Sequence, residues 1–348
     1  MMFEGLGVTI SRRTLAAFLL LPVAVRAQAR SKVRIGQATP AISILPIMAA
    51  RALGSFAAQG LDLKWASIPG GDPTALAALG SGDLDLAAVG SETVLAAIAR
   101  GLPFQIVASM MSKVSLELVV STAFLKRTGV ALGDPLPARL AALQGAVIGV
   151  SAIGGTQDRA ARWLALQAGF DPRTGVQVAN VGAPPALQAA LENARIDAFV
   201  LSPPEGLIAE DAGTGRVLVR LGEEFPQLRG VPSLVLVAKT PIAPVQAALT
   251  IAALRALRVA SQQVVADPAG SAEVIQRVLL PRAKPAIIAA AVDRLQGGLA
   301  GDGRLDPAGM AALLRFVAEA GGDTDKRLDA ATGEGRFWTN EYADAAAR

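Results

Sequence analysis

Hydrophobic and polar positions alternate in blocks along this chain, and the blocks follow an order. From Leu79 it reads LGSGDLDLAAVGSETVLAAIARGLPFQIVAS. A polar turn leads into an apolar run, Leu84 to Val89. The run stops at Gly90-Ser91-Glu92, and apolar residues at helical spacing follow at once. A second apolar run, Phe104 to Ser109, closes the segment. The pattern predicts strand, small polar corner, helix, strand. Such a corner aims backbone N–H groups and a hydroxyl at whatever lies above the strand end.

The same order returns in LQAALENARIDAFVLSPPEG from Leu187. Laid under the first segment without a gap, Asp197 falls under Asp85, Ile196 under Leu84, Leu191 under Leu79, Ser202 under Gly90 and Glu205 under Thr93. Two copies are too few for a solenoid. They predict two lobes of similar build, each ending a strand in a polar corner.

Along the rest of the chain, Lys32–Gln37 and Leu61–Ser67 are predicted strands, with a helix over Ile44–Gln59 between them. Pro69-Gly70-Gly71-Asp72-Pro73 is a turn whose Asp72 caps a helix over Pro73–Leu79. Leu116–Ser121 is a short apolar strand, after which Gly129–Pro137 is rich in Gly and Pro. A second βα series follows, with strands over Ala146–Val150, Val176–Val181 and Arg216–Leu221 and a helix over Gln157–Gln167. Val231–Lys239 is another bare apolar strand. Helices are predicted over Pro244–Val265, Ser271–Leu280, Lys284–Leu295 and Asp306–Ala320. The tail, Gly333–Arg348, is polar and is expected to pack back through Phe337, Trp338 and Tyr342. Strands alternating with helices of this size predict an α/β fold with mostly parallel sheets.

This order predicts two doubly wound lobes joined by two crossing strands, near 116–121 and 231–239. Lobe 1 takes residues 30–121 plus 231–348, and lobe 2, residues 122–230, is inserted in it. The cleft between them lies over the carboxyl ends of both sheets. The double crossing makes a hinge. Asp85 and Asp197 are expected to fix the turns before their strands, and Phe56, Phe104 and Phe199 to lie in the core.

Residues 1–29 have a separate character. Ser11-Arg12-Arg13-Thr14-Leu15 opens an apolar stretch, Leu15–Val25, that ends at Ala27-Gln28-Ala29. The stretch is shorter than the roughly 20 apolar residues a bilayer span needs. A basic start, a short apolar run and an Ala-x-Ala end predict an export signal peptide, and the arginine pair predicts a twin-arginine signal with Leu15 where that motif prefers Phe. A general secretory signal with an incidental arginine pair is the other reading. The mature chain is expected in the periplasm, with no membrane span and no lipid anchor.

Composition narrows the chemistry. The net charge is +4. Without residues 1–29 the balance is 30 basic to 28 acidic residues, +2. No basic cluster with interleaved aromatics occurs, so nucleic acid is not an expected partner. The 348 residues contain no cysteine and no histidine. That removes disulfides, thiolate nucleophiles, Ser-His-Asp triads and imidazole bases. Ser-Lys chemistry, carboxylate pairs and Mg²⁺ stay open in principle.

The export leader, VRIGQATPAISILPIMAARALGSFAAQGLDLKW and the Gly80–Ser109 segment resemble extracytoplasmic solute-binding proteins of ABC transporters, of the nitrate/sulfonate/taurine and thiamine-precursor (NMT1/THI5-like) type. The resemblance covers roughly residues 32–325 and includes the pattern from Gly54 to Leu63, G-S-F-A-A-Q-G-L-D-L. It implies the type II periplasmic binding protein fold, a small-molecule ligand, an ABC permease as partner, a monomer, no cofactor and no catalytic or metal-ligating residue. Two other functions stay open: a sensory protein docking to a receptor, and an enzyme on this fold. Enzymes resembling this group use the histidine or cysteine that this chain lacks.

In such proteins, residues at strand exits line the cleft. Carried over, the first lobe offers Thr39, Ser43, Gly71, Asp72, Gly90, Ser91, Glu92, Met111 and Ser112. The second offers Gly154, Gly155, Thr156, Gly182, Ser202, Pro203 and Glu205. Each has a plainer reading. Gly154-Gly155-Thr156 either holds an oxygen of the ligand or is an ordinary helix start capped by Thr156. Glu92 either touches the ligand or complements its helix dipole. Glu205 either does the same or is a solvated first-turn acid. Asp72, Glu92 and Glu205 stand at the expected mouth with no arginine, and Lys113 is the nearest base. A sulfonate or nitrate needs compensating cations or many donors. The expected ligand is therefore polar and neutral or cationic. Trp65, Trp163 and Trp338 are too scattered for an aromatic cage and are expected to pack.

Overall fold

The structure, a computed structural model, describes residues 30–37, 42–319, 328 and 333–348. The leader reading, Thr39 and the Ser43 side chain lie outside the described residues.

Ten strands form two sheets among the described residues. They are β1 (Ser31–Gln37), β2 (Leu61–Ser67), β3 (Leu86–Gly90), β4 (Phe104–Lys113), β5 (Glu117–Ser121), β6 (Val147–Val150), β7 (Gln177–Asn180), β8 (Ala198–Leu201), β9 (Gly215–Arg220) and β10 (Arg229–Lys239). The first sheet runs β2-β1-β3-β10-β4 and the second β7-β6-β8-β5-β9. Both follow one plan: second strand, first, third, an antiparallel strand, then fourth. β10 is antiparallel to β3 and β4, and β5 is antiparallel to β8 and β9.

The crossing therefore differs from the sequence expectation. Glu117–Ser121 does not stay with the first lobe; it pairs inside the second sheet along its whole length. The chain changes lobes at Val114–Leu116 and again between β9 and β10. A strand that enters a sheet from the far side runs against its neighbours, so each sheet gains one antiparallel member. Buried on both faces, β5 and the core of β10 read as bare apolar runs.

The repeat holds at the level of register. Ile35 and Gly36 of β1 face Leu86 and Ala87, and Ile148 and Gly149 of β6 face Ala198 and Phe199. A Cβ at Gly36 would overlap the Leu84 side chain, and one at Gly149 would lie 2.7 Å from Ile196 Cδ1. Leu84 and Ile196 are equivalent in the repeat, so each first strand thins at the same place to admit the residue that precedes the third strand. Asp85 and Asp197 are equivalent too, and each reaches across to the first strand rather than into its own turn. Asp85 accepts from Arg34 N at 2.7 Å and from the Arg34 guanidinium. Asp197 accepts from Val147 N at 3.0 Å and from Arg127 at 2.7 Å.

Helices cover the sheets. The expected helix over 44–59 is two, Leu45–Ala52 and Ser55–Ala58, because Gly54 turns left-handed (φ +73°) between them. The C-terminal helices are Pro244–Ala266, Pro268–Leu279, Pro285–Gln296 and Pro307–Glu319. The second starts three residues before the expected Ser271, where Asp267 caps it by accepting from Gly270 N. Phe337, Trp338 and Tyr342 are buried, and Trp338 bridges to Ile106 at the edge of the first sheet. Phe56, Phe104 and Phe199 are core. Trp163 is fully buried, packed on Phe225 and Phe316, with its Nε1 donating to Glu319. Trp65 lies under Arg51.

Asp197→Ala leaves the Val147 N–H without its acceptor and is expected to cost about 1–3 kcal/mol, whereas Asp197→Asn keeps an acceptor and costs less. Urea denaturation of the two variants checks this; equal losses would assign the effect to charge alone.

Candidate functional site: the cleft between the lobes

Both sheets turn the carboxyl ends of their parallel strands toward one gap. The first lobe brings Gln37 from the end of β1, Asp72 from the start of helix Asp72–Ser81, and Gly90 and Glu92 from the corner after β3. The second brings Thr156 and Gln157 from the start of helix Thr156–Gln167, Leu201 and Ser202 from the end of β8, and Glu205. Ser115 and Leu116, between β4 and β5, and Ser233 and Leu234 of β10 complete the lining. They enclose a cavity of about 90 Å³. Roughly 10–15 Å³ on this scale holds one water, so the closed cleft has room for a small solute.

The lobes touch across the gap. Thr156 Oγ1 lies 3.0 Å from Asp72 Oδ2 and 3.2 Å from Glu92 Oε2. Gly90 N donates to the same Asp72 oxygen at 3.1 Å. Thr93 Oγ1 is 3.5 Å from Thr156 Oγ1. Two glycines make the approach possible. A Cβ at Gly90 would overlap Thr156 Oγ1, and one at Gly71 (φ +83°) would lie 2.7 Å from Ala152 Cβ.

The electrostatics are those of crowded acids. Glu92 is 1% exposed. Burial pushes its carboxyl up to about 7, and the neighbouring Asp72 adds to the rise; the start of its own helix, Arg159 and Thr156 oppose it. Burial likewise raises Asp72 against the pull of Gly90 N–H and the Thr156 and Thr93 hydroxyls. It raises Glu205 against the hydrogen bond from Gln188 Nε2 at 2.9 Å. Gln37 is buried, lines the cavity, and its Oε1 has no hydrogen-bond partner. The cleft is thus rich in acceptors. No Lys or Arg stands among its described lining residues.

Of the residues expected from sequence, Asp72, Gly90, Glu92, Thr156, Ser202 and Glu205 meet around this cavity. Gly71 packs against Ala152 of the opposite lobe, Gly155 is the N-cap of the helix that carries Thr156, and neither lines the cavity. The others are elsewhere. Gly154 faces a larger apolar cavity of about 400 Å³ walled by residues such as Leu76, Leu102 and Phe104. Its N–H donates to Asp158 at 2.7 Å and that of Gly155 to Ala152 O, so neither is free to hold a ligand oxygen. Thr156 makes no cap bond to its own helix either. Its hydroxyl has a third use, reaching the opposite lobe. Ser91 is fully buried with no partner for its hydroxyl and does not line the cavity. Ser112 donates to Gly298 O. Met111 and Pro203 line a small neighbouring cavity with Lys113, which pairs with Glu223. Gly182 (φ +106°) lies off the lining.

Sequence reasoning missed Gln37, Ser115, Gln157, Pro184, Leu201, Ser233 and Leu234. Ser115 and Ser233 sit on the crossing segments, which were read only as a hinge. Ser115 Oγ lies 2.8 Å from Ser202 Oγ, and Ser233 donates to Lys113 O at 2.7 Å. The signal was available: a lone serine in an apolar crossing run.

With this geometry in hand, comparison with known proteins is specific. Residues 26–279 match the NMT1-like family, and the chain belongs to it. No curated protein sequence matches the chain. Among solved structures, it is similar to a protein from Bordetella bronchiseptica RB50, at 26% identity and TM-score 0.74 over 91% of this chain and 97% of that one. It is also similar to the periplasmic nitrate-binding protein NrtA from Synechocystis PCC 6803, at 15% identity and TM-score 0.71 over 91% and 88%. A third is the alkanesulfonate-binding protein SsuA from Xanthomonas axonopodis pv. citri bound to MOPS, at 20% identity and TM-score 0.67 over 84% and 94%. The fold is that of periplasmic binding proteins.

Gly90 has an ordinary φ of −62°, so alanine fits its backbone; the added methyl overlaps Thr156 of the opposite lobe, and within its own lobe its nearest neighbour is the end of the Glu92 side chain, at 3.0 Å. Gly90→Ala is expected to fold normally and to be larger by small-angle X-ray scattering. A scattering profile identical to the parent would show that Thr156 yields at no cost.

Proposed function

We propose that this chain is an exported solute-binding protein that captures a small polar solute in the interlobe cleft and delivers it to an ABC permease. The observation that carries the reading is the cleft itself: two lobes of one plan, touching through Thr156, over a cavity lined from both sides at strand ends. Family membership and the shared fold support it. Binding rather than turnover accords with a chain that has no histidine and no cysteine. The leader supports export to the periplasm by the twin-arginine route, and the protein acts as a monomer. No described helix is long and apolar enough to cross a membrane.

The solute is neutral or cationic and bears hydrogen-bond donors. The nitrate- and alkanesulfonate-binding proteins of similar fold take anions. Here Asp72, Glu92 and Glu205 face the cavity, with Gln37 Oε1 unpartnered beside them. An anion would meet three acids that burial already disfavours in their charged form. A donor-bearing nitrogen compound would satisfy them.

Native mass spectrometry of freshly purified protein, followed by a thermal-shift panel, tests the proposal. Neutral and cationic nitrogen compounds are expected to raise Tm, by about 2.7 kcal/mol of stabilisation at a hundred times Kd. Nitrate and simple sulfonates are expected to leave it unchanged. Glu205→Gln should weaken a cationic binder by about tenfold or more, 1.4 kcal/mol. Tight sulfonate binding that survives Glu92→Gln would overturn the assignment of charge; loss of uptake on deleting the gene would support delivery to a permease, whereas a lost response with intact uptake would support a sensory role.

A further inference from the structure

The contact between the lobes has too few hydrogens if both of its acids are ionised. Two short oxygen–oxygen contacts meet at Thr156 Oγ1, 3.0 Å to Asp72 Oδ2 and 3.2 Å to Glu92 Oε2. Each needs a hydrogen between its oxygens, and a threonine hydroxyl supplies one. With both carboxyls charged, one of them faces a lone pair, beside a second negative charge and shielded from water. The set is complete when one carboxyl carries a proton. Gly90 N–H and Thr156 O–H then donate to Asp72, and a protonated Glu92 donates to Thr156.

We propose that the lobes close with uptake of one proton, held on Glu92, and that Thr156 is the group by which the second lobe senses it. The division of roles follows from the partners. Asp72 collects three donors, Gly90 N–H and the hydroxyls of Thr156 and Thr93, which favour its ionised form. Glu92 is the more deeply enclosed, at 1% exposure. The charged groups acting on it are Asp72, from helix Asp72–Ser81, and Arg159, from helix Thr156–Gln167. Glu205 lines the same cavity from the second lobe. Asp158 is turned to Gly154 N–H and Arg162. On helix Pro307–Glu319, which packs against the helix of Glu92, Glu319 is held by Trp163 and Arg315 is the other charge. β3, β4 and β10 bring apolar and neutral groups to this contact.

The sign follows from the two forms. If opening returns Glu92 to water it takes the ordinary carboxyl value of 4.5, whereas in the closed cleft burial pushes it up to about 7. Below about 4.5 both forms hold the Glu92 proton and Glu92 no longer couples closure to pH; Asp72 and Glu205, also raised by burial in the cleft, act in the same direction. Between about 4.5 and about 7 the closed form holds one proton more, so the closing equilibrium falls tenfold for each unit of rising pH. Above that the curve is flat again. A cationic solute set against Glu92 replaces the proton, so its affinity rises with pH where closure of the empty protein falls.

The test needs no solute, so a wrong assignment of the cargo leaves its outcome intact. The chain has no cysteine, and Asp83→Cys with Thr174→Cys places one label on each lobe at exposed positions. Interlabel distance in the ligand-free protein is read from pH 4.5 to 8. The closed fraction is expected to fall with rising pH with a slope of one proton. Glu92→Gln, whose amide donates to Thr156 at every pH, is expected to stay closed throughout. Thr156→Ser keeps the parent profile, and Thr156→Ala, which leaves Glu92 no hydroxyl partner on the second lobe, is expected to lower the closed fraction at every pH. If Glu92→Gln does not fold, Asp72→Asn serves, and its midpoint should move to lower pH because the neighbouring charge is gone. A flat profile in the parent protein, or the parent slope retained in Glu92→Gln, overturns the proposal.

Discussion

Each sheet receives in its fourth place a strand that has just left the other lobe, and the site depends on that exchange. β5 follows β4 out of the first sheet into the second, and β10 follows β9 back. Both enter antiparallel, because the chain arrives from the side where the parallel strands end. The two crossings therefore lie on the same side as the strand ends. Ser115 and Ser233 form the floor of the cleft because they belong to the crossings, and the corners after β3 and β8 form its walls. One topological constraint brings floor and walls together.

The lobes are held by contacts of two kinds, and the difference matters for motion. Away from the cleft the contact is apolar: Trp163 of the second lobe is fully buried against Phe316 of the first. Buried aromatic surface of this kind is insensitive to pH and is costly to separate. On another flank Arg294 of the C-terminal helices pairs with Glu117 of β5, whose carboxyl burial raises and Arg294 and Arg220 pull down. Inside the cleft the contact is polar and centres on the Thr156 hydroxyl between two acids, with Thr93 and the charge of Arg159 beside it. The first kind holds the lobes together whatever the pH. The second is weak enough for a solute or a proton to change.

Much of the fold could be read from the chain because its signals were local. Pro244 and the apolar runs of the strands punctuate the sequence where the structure does, whereas Gly54 breaks a helix expected to run through it, and Asp72 does not cap its helix: Gly71 is the N-cap and the Asp72 carboxylate accepts from Gly90 N and Thr156 instead. The repeat was legible for a stronger reason. Leu84 and Ile196 fill the same notch beneath a first-strand glycine, and Asp85 and Asp197 accept the same first-strand N–H. Residues with the same tertiary task kept the same offset. What was not legible is non-local. Nothing near Glu117 says that its strand pairs with β8 rather than with the sheet it leaves. Nothing near Thr156 says that its hydroxyl meets Asp72 and Glu92 of the other lobe.

The site divides in the same way. The acids were found because a carboxylate in the first turn after a strand is a local pattern, and Asp72, Glu92 and Glu205 all fit it. Their meaning was not local. The dipole reading of Glu92 treats it as a charged group that its helix welcomes, yet the fold buries it beside Asp72, and burial outweighs the helix terminus. Thr156 shows the same inversion. Its sequence position is that of a cap, but Gly155 is the N-cap, and the freed hydroxyl crosses to the other lobe. A residue that serves its own helix stabilises one lobe alone. A residue released from that duty can report on the distance between two, and that is the property a closing cleft requires.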